Sequence, residues 1–166
     1  IWITVAWFDV EEWIDSLLKA MDRNCQVFFI VDSGTTLHPK RKQQMQCIKR
    51  LTTAGAKVGL AKGERGGMQH SKTAFFDSYG CGHRIVGSTN WTKNTLKNEE
   101  KSLLYRLNQT GRRQVMADLE RIWAKCEPFT EKLEIDHALR RALREGSSSS
   151  NSFRGSSQAR SLSSEL

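Results

Sequence analysis

The chain has 166 residues and a formal net charge of +8. This length is enough for one domain with a proper hydrophobic core and too short for two full-sized domains. Hydrophobic residues make up 38% of the chain and charged residues 27%, and no apolar run approaches the roughly 18 residues that a membrane span needs. The four cysteines are widely spread without a CxxC pair, which argues against a disulfide scaffold and against a structural zinc site.

The first half of the chain alternates between apolar runs and amphipathic segments. It opens with Ile1 inside the run IWITVAWF, so we expect a strand already under way and a natural N-terminus further upstream. Asp9 is the expected N-cap of the first helix, and Gly55 is expected to end the second. Hydrophobic periodicity predicts strands over 1–8, 25–32 and 56–61 and helices over 9–23 and 39–54.

The second half predicts a longer run of strands before the last helices. We expect strands over 69–77, 84–87 and 100–107, and helices over 111–126 and 129–145. This alternation is typical of an α/β protein with a mixed sheet flanked by helices. Residues 146–166 contain ten serines and few apolar side chains, which predicts disorder. We therefore divide the chain into a domain over 1–128, a helical extension over 129–145 and a disordered tail over 146–166.

The positive charge is concentrated in one segment. Residues 38–72 contain nine Lys or Arg residues and one acidic residue, so this segment alone carries the whole net excess. Such a concentration attracts an anionic polymer or surface through long-range electrostatics. The alternative interpretation is a solvated helix face, but the segment runs directly into the most informative motif of the chain. Its basic residues are Lys40, Arg41, Lys42, Lys49, Arg50, Lys57, Lys62, Arg65 and Lys72.

That motif is His70-Ser71-Lys72 with Asp77 after four further residues, followed by Gly87-Ser88-Thr89-Asn90 and then Glu99-Glu100. On a regular strand, His70 and Lys72 project from the same face, and Asp77, at an odd offset, projects from the other. An imidazole can attack phosphorus or move a proton, and an ammonium balances charge on phosphate oxygens. We therefore expect Asp77 to brace the turn or the back of the sheet.

Together these pieces resemble the HxKxxxxD…GSxN signature of the phospholipase D superfamily. The run GSTNWTKNTLKN, with LERIW further on, is most similar to the mitochondrial cardiolipin hydrolase and Zucchini-type endonuclease branch. The resemblance covers residues 1–126. It implies a phospholipase D-like fold, hydrolysis of phosphodiester bonds, association with a membrane surface, and a location at the mitochondrial outer membrane or otherwise in the cytoplasm.

The resemblance also assigns roles to individual residues. His70 would be the nucleophile that forms a phosphohistidine, and Lys72 and Asn90 would hold the phosphate with help from Ser88. Asp77 would be the structural acid of the motif. Glu100 would pair with the histidine, and Glu99 is the alternative for that role.

The chain contains a single complete HxKxxxxD motif, and this has a physical consequence. The reaction needs one histidine to attack phosphorus and another group to protonate the leaving oxygen. We therefore expect two chains to pair about a twofold axis and to place both His70 side chains in one cleft, as a homodimer with a shared active site. No metal or other cofactor is required, because paired lysines and backbone donors can stabilise the charge.

Other functions stay open at this point. Within the hydrolase hypothesis, the anionic substrate is a cardiolipin-like phospholipid or a single-stranded nucleic acid. A different class is a non-catalytic phosphate- or nucleic-acid-binding module with the same fold, and a third is half of a two-motif enzyme. Trp91 is expected either to stack on a base or to pack the motif loop against the domain, whereas Trp2, Trp7, Trp13 and Trp123 are interpreted as core.

Overall fold

Three parallel strands form the centre of the sheet and follow directly from the apolar runs of the sequence. The structure, a computed structural model, describes residues 1–63, 67–78 and 81–152. Strands β1 and β2 pair in parallel, as do β2 and β3. Their residues are almost all buried, as expected for a sheet covered on both faces. The strands are β1 (Trp2–Val5), β2 (Phe28–Asp32) and β3 (Lys57–Ala61).

Antiparallel strands extend this core on both sides. The described residues form a seven-stranded sheet in the order β6-β5-β4-β1-β2-β3-β7. Strand β4 pairs antiparallel with β1, and β4, β5 and β6 form a meander. The sheet is therefore mixed, and the prediction of an α/β fold is confirmed. The outer strands are β4 (Thr73–Ser78), β5 (Cys81–Gly87), β6 (Ser102–Leu107) and the short β7 (Glu127–Pro128).

Helices cover the two faces of the sheet. One face carries a core cluster that contains Phe75 of β4 and Val115 and Leu119 of the helix after β6. On the other face Phe29 contacts Trp91, which contacts Trp13 of the first helix. The helices of this unit are α1 (Glu11–Asp22), α2 (Ser33–Thr36), α3 (Lys42–Thr53) and α4 (Gln109–Trp123), with a short 3-10 helix over Lys93–Lys97. Helix α5 (Glu131–Ser152) belongs to the C-terminal unit.

Two predicted boundaries near the start of the chain are wrong because contacts with distant segments replace the expected local pattern. Strand β1 ends at Val5, and the backbone after it bonds to distant loops: the carbonyl oxygen of Ala6 accepts from the Thr35 hydroxyl at 3.2 Å, and that of Trp7 accepts from the N–H of Trp91 at 3.0 Å. Asp9 does not cap α1, whose N-cap is Val10. The Asp9 carboxylate instead accepts from the backbone N–H of Lys93 at 2.7 Å, so it fastens the segment after the motif loop to the start of α1.

The second predicted helix ends just before Gly55, as the sequence predicts. Helix α3 ends at Thr53, and Gly55 has a φ of +95°. That left-handed conformation favours glycine and commonly stops a helix.

The C-terminal part forms a separate compact unit, which divides from the first between Phe129 and Thr130. Helix α5 continues to Ser152, seven residues into the segment for which we predict disorder. The rest of the predicted tail, 153–166, lies outside the described residues. No helix within the described residues is long and apolar enough to cross a lipid bilayer.

Candidate active site

The sheet topology gathers the motif segments at one edge. The carboxyl ends of β1, β2 and β3 lie together because these strands are parallel. Strand β4 is antiparallel to β1 and begins there, since Thr73 is opposite Thr4. Strand β5 ends and β6 begins at the same edge, where Gly87 is opposite Ser102. Residues 69–72, 88–92 and 100–101 therefore meet although they are separated in sequence.

His70 lies in the segment just before β4 and is exposed to solvent. Its ring meets the ring of Trp7 edge-on, with centroids 6.2 Å apart and an interplanar angle of 83°. The preceding residue is anchored, because the backbone N–H of Gln69 donates to the buried carboxylate of Asp32 at 2.8 Å. Within the described ranges the imidazole makes no hydrogen bond, so both of its nitrogens are available to a ligand.

Lys72 contrasts with His70 because it is only 7% exposed. Its ammonium donates to the backbone oxygen of His70 at 2.7 Å. The side chain lines a cavity of about 150 Å³, together with Phe76, Trp91 and Ser102. Burial lowers the pKa of the Lys72 ammonium, and the carboxylate of Glu100 partly opposes that shift. A buried ammonium without a carboxylate bound to it is suited to neutralise an anionic ligand.

The structure corrects how His70 and Lys72 come together. We predict both on a regular strand over 69–77, but β4 begins at Thr73. The segment before β4 is held at Gln69 by the Asp32 carboxylate and at Lys72 by the backbone N–H of Gly87, which donates to the Lys72 carbonyl oxygen at 3.2 Å. His70 and Lys72 are neighbours because the lysine reaches back to the histidine's own carbonyl group.

The motif loop supplies polar groups beside this pair. The amide oxygen of Asn90 accepts from the backbone N–H of Trp7 at 3.4 Å, and its NH₂ group donates to no described residue. The hydroxyl group of Ser88 donates to a carboxylate oxygen of Glu100. The other oxygen of Glu100 accepts from the Asn98 side chain at 3.4 Å.

The two glutamates take different positions. Glu99 is exposed, whereas Glu100 is partly buried and close enough to Lys72 to affect its pKa. In the part of the chain that the structure describes, neither is hydrogen-bonded to the His70 ring. Glu100 therefore acts here on Ser88 and Lys72, and its pairing with the histidine stays a prediction from the resemblance.

Asp77 lies away from these groups. Its carboxylate accepts from Nε and Nη2 of Arg112 in α4 at 2.7 and 2.6 Å. Asp77 is thus on the α4 side of the sheet, like Phe75 two residues before it. This ion pair is partly exposed, with 35% of the Asp77 side chain and 24% of the Arg112 side chain accessible.

We expect Asp77→Ala to affect stability and not chemistry. Loss of the ion pair should lower the free energy of unfolding by about 1 kcal/mol, because solvent screens a partly exposed pair. The rate of phosphodiester cleavage should stay within a factor of about three. Urea unfolding measures the change in stability, and cleavage kinetics measure the change in rate. Asp118→Ala is the control, because Asp118 forms an exposed ion pair with Arg121. A loss of activity above about a hundredfold would mean that Asp77 takes part in the reaction.

Sequence reasoning missed two residues beside His70. Trp7 is half-buried instead of core, and its ring lies between His70 and the guanidinium group of Arg41, whose Cζ is 5.3 Å from the Trp7 centroid. No local pattern could reveal this contact, because 34 positions separate Trp7 from Arg41. Of the two expectations for Trp91, its contacts with Trp13 and Phe29 favour packing of the motif loop against the domain.

The basic residues of the 38–72 segment do not form one patch. Arg50 is paired with Asp15 and lies near Glu11, and Lys72 is buried. Lys57 begins β3, at the opposite end of the strand from the candidate site. Lys40, Arg41 and Lys42 are exposed near the site, and Arg65 lies outside the described residues. Among the described residues, no group of three or more His, Cys, Asp or Glu side chains is placed to hold a metal ion.

Comparisons with known proteins agree with this arrangement. The family described as "Cardiolipin synthase, PLD-like domain" matches residues 1–123. The crystal structure of Nuc, a phospholipase D family member from Salmonella typhimurium, is similar with a TM-score of 0.64 and 14% identity, over 78% of this chain and 80% of that one. NucT from Helicobacter pylori is similar with a TM-score of 0.62 and 23% identity, over 77% and 80%. The search of curated proteins gave no match.

Both solved structures are less than 25% identical to this chain, so the similarity supports its fold alone. The family match covers most of the chain, including His70, Lys72, Asn90 and Glu100. The chain therefore belongs to the phospholipase D superfamily and contains a PLD-like domain with one HxKxxxxD motif.

Proposed function

We propose that this protein is a metal-independent phosphodiesterase that works through a phosphohistidine. The observation that carries the proposal is an exposed, unbonded His70 ring next to the buried ammonium of Lys72, which is bound to the His70 carbonyl group. A nucleophile open to solvent beside a desolvated cation is the pair that attack on a phosphodiester requires. The substrate is a phosphodiester of a phospholipid or of a single-stranded nucleic acid.

In the first step a nitrogen of His70 forms a bond to phosphorus, and the bond from phosphorus to the leaving oxygen breaks. A second histidine donates a proton to that oxygen. Water then attacks the phosphohistidine and gives a proton back to the second histidine, so the phosphorus–nitrogen bond breaks and His70 is regenerated. Lys72 and the free NH₂ group of Asn90 hold the phosphate oxygens.

We infer that the second histidine is the partner subunit's His70. The chain contains one complete HxKxxxxD, that of His70: His38 is followed by Lys40 but has Met45 where the motif has aspartate, and neither His83 nor His137 has a lysine two positions on. His70 lies at an open sheet edge where a twofold axis could bring two copies together. The membrane-surface association and mitochondrial location that the resemblance implies stay predictions beside this proposal.

The proposal is tested with bis(p-nitrophenyl) phosphate in the presence of EDTA. We expect wild-type protein to release p-nitrophenolate without added metal. Alkaline quenching, which preserves a phosphohistidine, should leave the phosphoryl group with its remaining ester on the peptide that contains His70, detectable by mass spectrometry. Activity that EDTA abolishes and a divalent metal restores, or an adduct on another residue, would contradict the proposal.

A further inference from the structure

A second cation stands beside the His70 site. The guanidinium carbon of Arg41 lies 5.3 Å from the centre of the Trp7 ring, and that ring lies 6.2 Å from the centre of the His70 ring. Arg41 Cζ is therefore no more than about 11.5 Å from the His70 ring, the sum of these two distances. This places a positive charge within reach of a substrate that extends beyond the reacting phosphate.

The position of Arg41 is fixed by the fold on both sides of the contact. Trp7 is tied to the motif loop, because its N–H donates to Asn90 and its carbonyl oxygen accepts from the N–H of Trp91 at 3.0 Å. The backbone of Arg41 donates to the carbonyl oxygen of His38 at 2.9 Å and accepts from the N–H of Met45 at 3.0 Å. The aromatic ring thus holds the guanidinium at a set distance from His70.

Arg41 has no carboxylate partner among the described residues, in contrast to two arginines elsewhere in the domain. Arg50 is paired with Asp15, and Arg112 is paired with Asp77. Arg41 is exposed, and its guanidinium group contacts no carboxylate in the part of the chain that the structure describes. Lys40 and Lys42 on either side are exposed as well. An arginine stacked on tryptophan, with free donors, is suited to a phosphate group.

We propose that Arg41 binds a second phosphate of a single-stranded polynucleotide, next to the one that His70 attacks. This inference rests on the proposed function and narrows its substrate class. Lys72 is buried at the reacting site, so Arg41 is a separate cation for a separate phosphate. The exposed face of the guanidinium can also stack on a base. The rim around it, from His38 to Lys42, is polar and exposed, which suits a polynucleotide better than an acyl chain.

The experiment compares substrates with one and with several phosphates. Wild-type protein and Arg41→Gln are assayed on dithymidylate, which has a single phosphodiester, on octathymidylate, and on cardiolipin vesicles. Lys57→Gln is the matched control, because Lys57 also lies over an aromatic ring, that of Phe28 at 4.9 Å, but at the other end of β3. Binding of labelled octathymidylate is measured separately by fluorescence anisotropy as a function of salt, with each variant placed in a non-cleaving His70→Asn background.

We expect Arg41→Gln to lower the ratio of kcat/KM for octathymidylate to that for dithymidylate by about five- to tenfold. The slope of log Kd against log salt should fall by about 0.7, the value for one lost phosphate contact on a single strand. Lys57→Gln should change neither quantity, and Arg41→Lys should keep the slope because it keeps the charge. A merely structural role for Arg41 would not alter the salt slope.

Three results would overturn the inference. Equal effects of Arg41→Gln and Lys57→Gln would mean a general electrostatic contribution. An unchanged ratio and slope would mean that Arg41 contacts no second phosphate. A larger loss on cardiolipin vesicles than on octathymidylate would assign Arg41 to a lipid substrate. If wild-type protein cleaves none of the substrates, the proposed function fails, while the anisotropy measurement still decides the role of Arg41.

Discussion

His70→Asn is expected to lower phosphodiester cleavage by at least about a thousandfold while leaving the protein folded. Asparagine removes both the nucleophilic nitrogen and the proton-transferring group, and loss of a nucleophile costs this much or more in other enzymes. Because His70 is exposed and its ring makes no hydrogen bond to the described residues, the free energy of unfolding should change by less than about 0.5 kcal/mol.

Turnover of bis(p-nitrophenyl) phosphate and urea unfolding measure the two parts of this prediction. His38→Asn is the matched control, because His38 is also exposed and follows α2 near the same sheet edge. Its Nδ1 accepts from the backbone N–H of Lys40 at 3.2 Å, and Met45 stands where the motif of His70 has Asp77. We expect this control to keep its activity. If the two variants lost activity equally, His70 would not be the nucleophile.

Lys72→Met is expected to separate function from stability. Removal of a positioned cation from a buried site should lower cleavage by about a hundred- to a thousandfold, because the charge that develops on the phosphate loses its partner. The variant should be at least as stable as wild type at pH 7. Burial of an ammonium group is unfavourable, and methionine fills a similar volume without that cost.

The pH dependence of stability tests whether the Lys72 ammonium is buried in the folded protein. The pKa of Lys72 is lower in the folded protein than its ordinary value of 10.5, so between the two pKa values the unfolded chain binds more protons than the folded one. Stability therefore rises with pH across that window. Lys72→Met should lack this rise, whereas Lys97→Met, at an exposed lysine, should keep it. A Lys72→Met protein that is destabilised by more than about 1 kcal/mol at pH 7 would show that the ammonium stabilises the fold.

The fold could be predicted from the sequence because its signals are local. Apolar runs and helical periodicity gave the α/β class and nearly every strand and helix. The details that were wrong depend on contacts between distant segments. Asp9 has the chemistry of an N-cap, but its carboxylate accepts from the backbone N–H of Lys93 instead. The segment predicted as a strand from residue 69 is anchored to Asp32 at Gln69, and β4 begins only at Thr73.

The candidate site also combines features that local sequence predicts with contacts that it does not. The motif spacing and the family resemblance made His70, Lys72, Ser88, Asn90 and Glu100 the candidate residues, and the sheet topology explains why segments so far apart meet at one edge. The spacing could not show that Glu100 contacts Ser88, or that Trp7 contacts the histidine and carries Arg41 over its ring. These are tertiary contacts between residues whose local sequence reads as core or as a solvated basic face.

The central claim is that two copies of the chain each supply one His70 to a single reacting phosphorus. It is tested by unfolding equal amounts of wild-type and His70→Asn protein together, refolding the mixture and measuring cleavage per total chain. If both histidines of a pair are needed, random pairing leaves about a quarter of the dimers competent, and activity should fall to about a quarter of that of wild type. Activity at half the wild-type value, proportional to the wild-type chains present, would mean that each chain acts alone and would contradict the account.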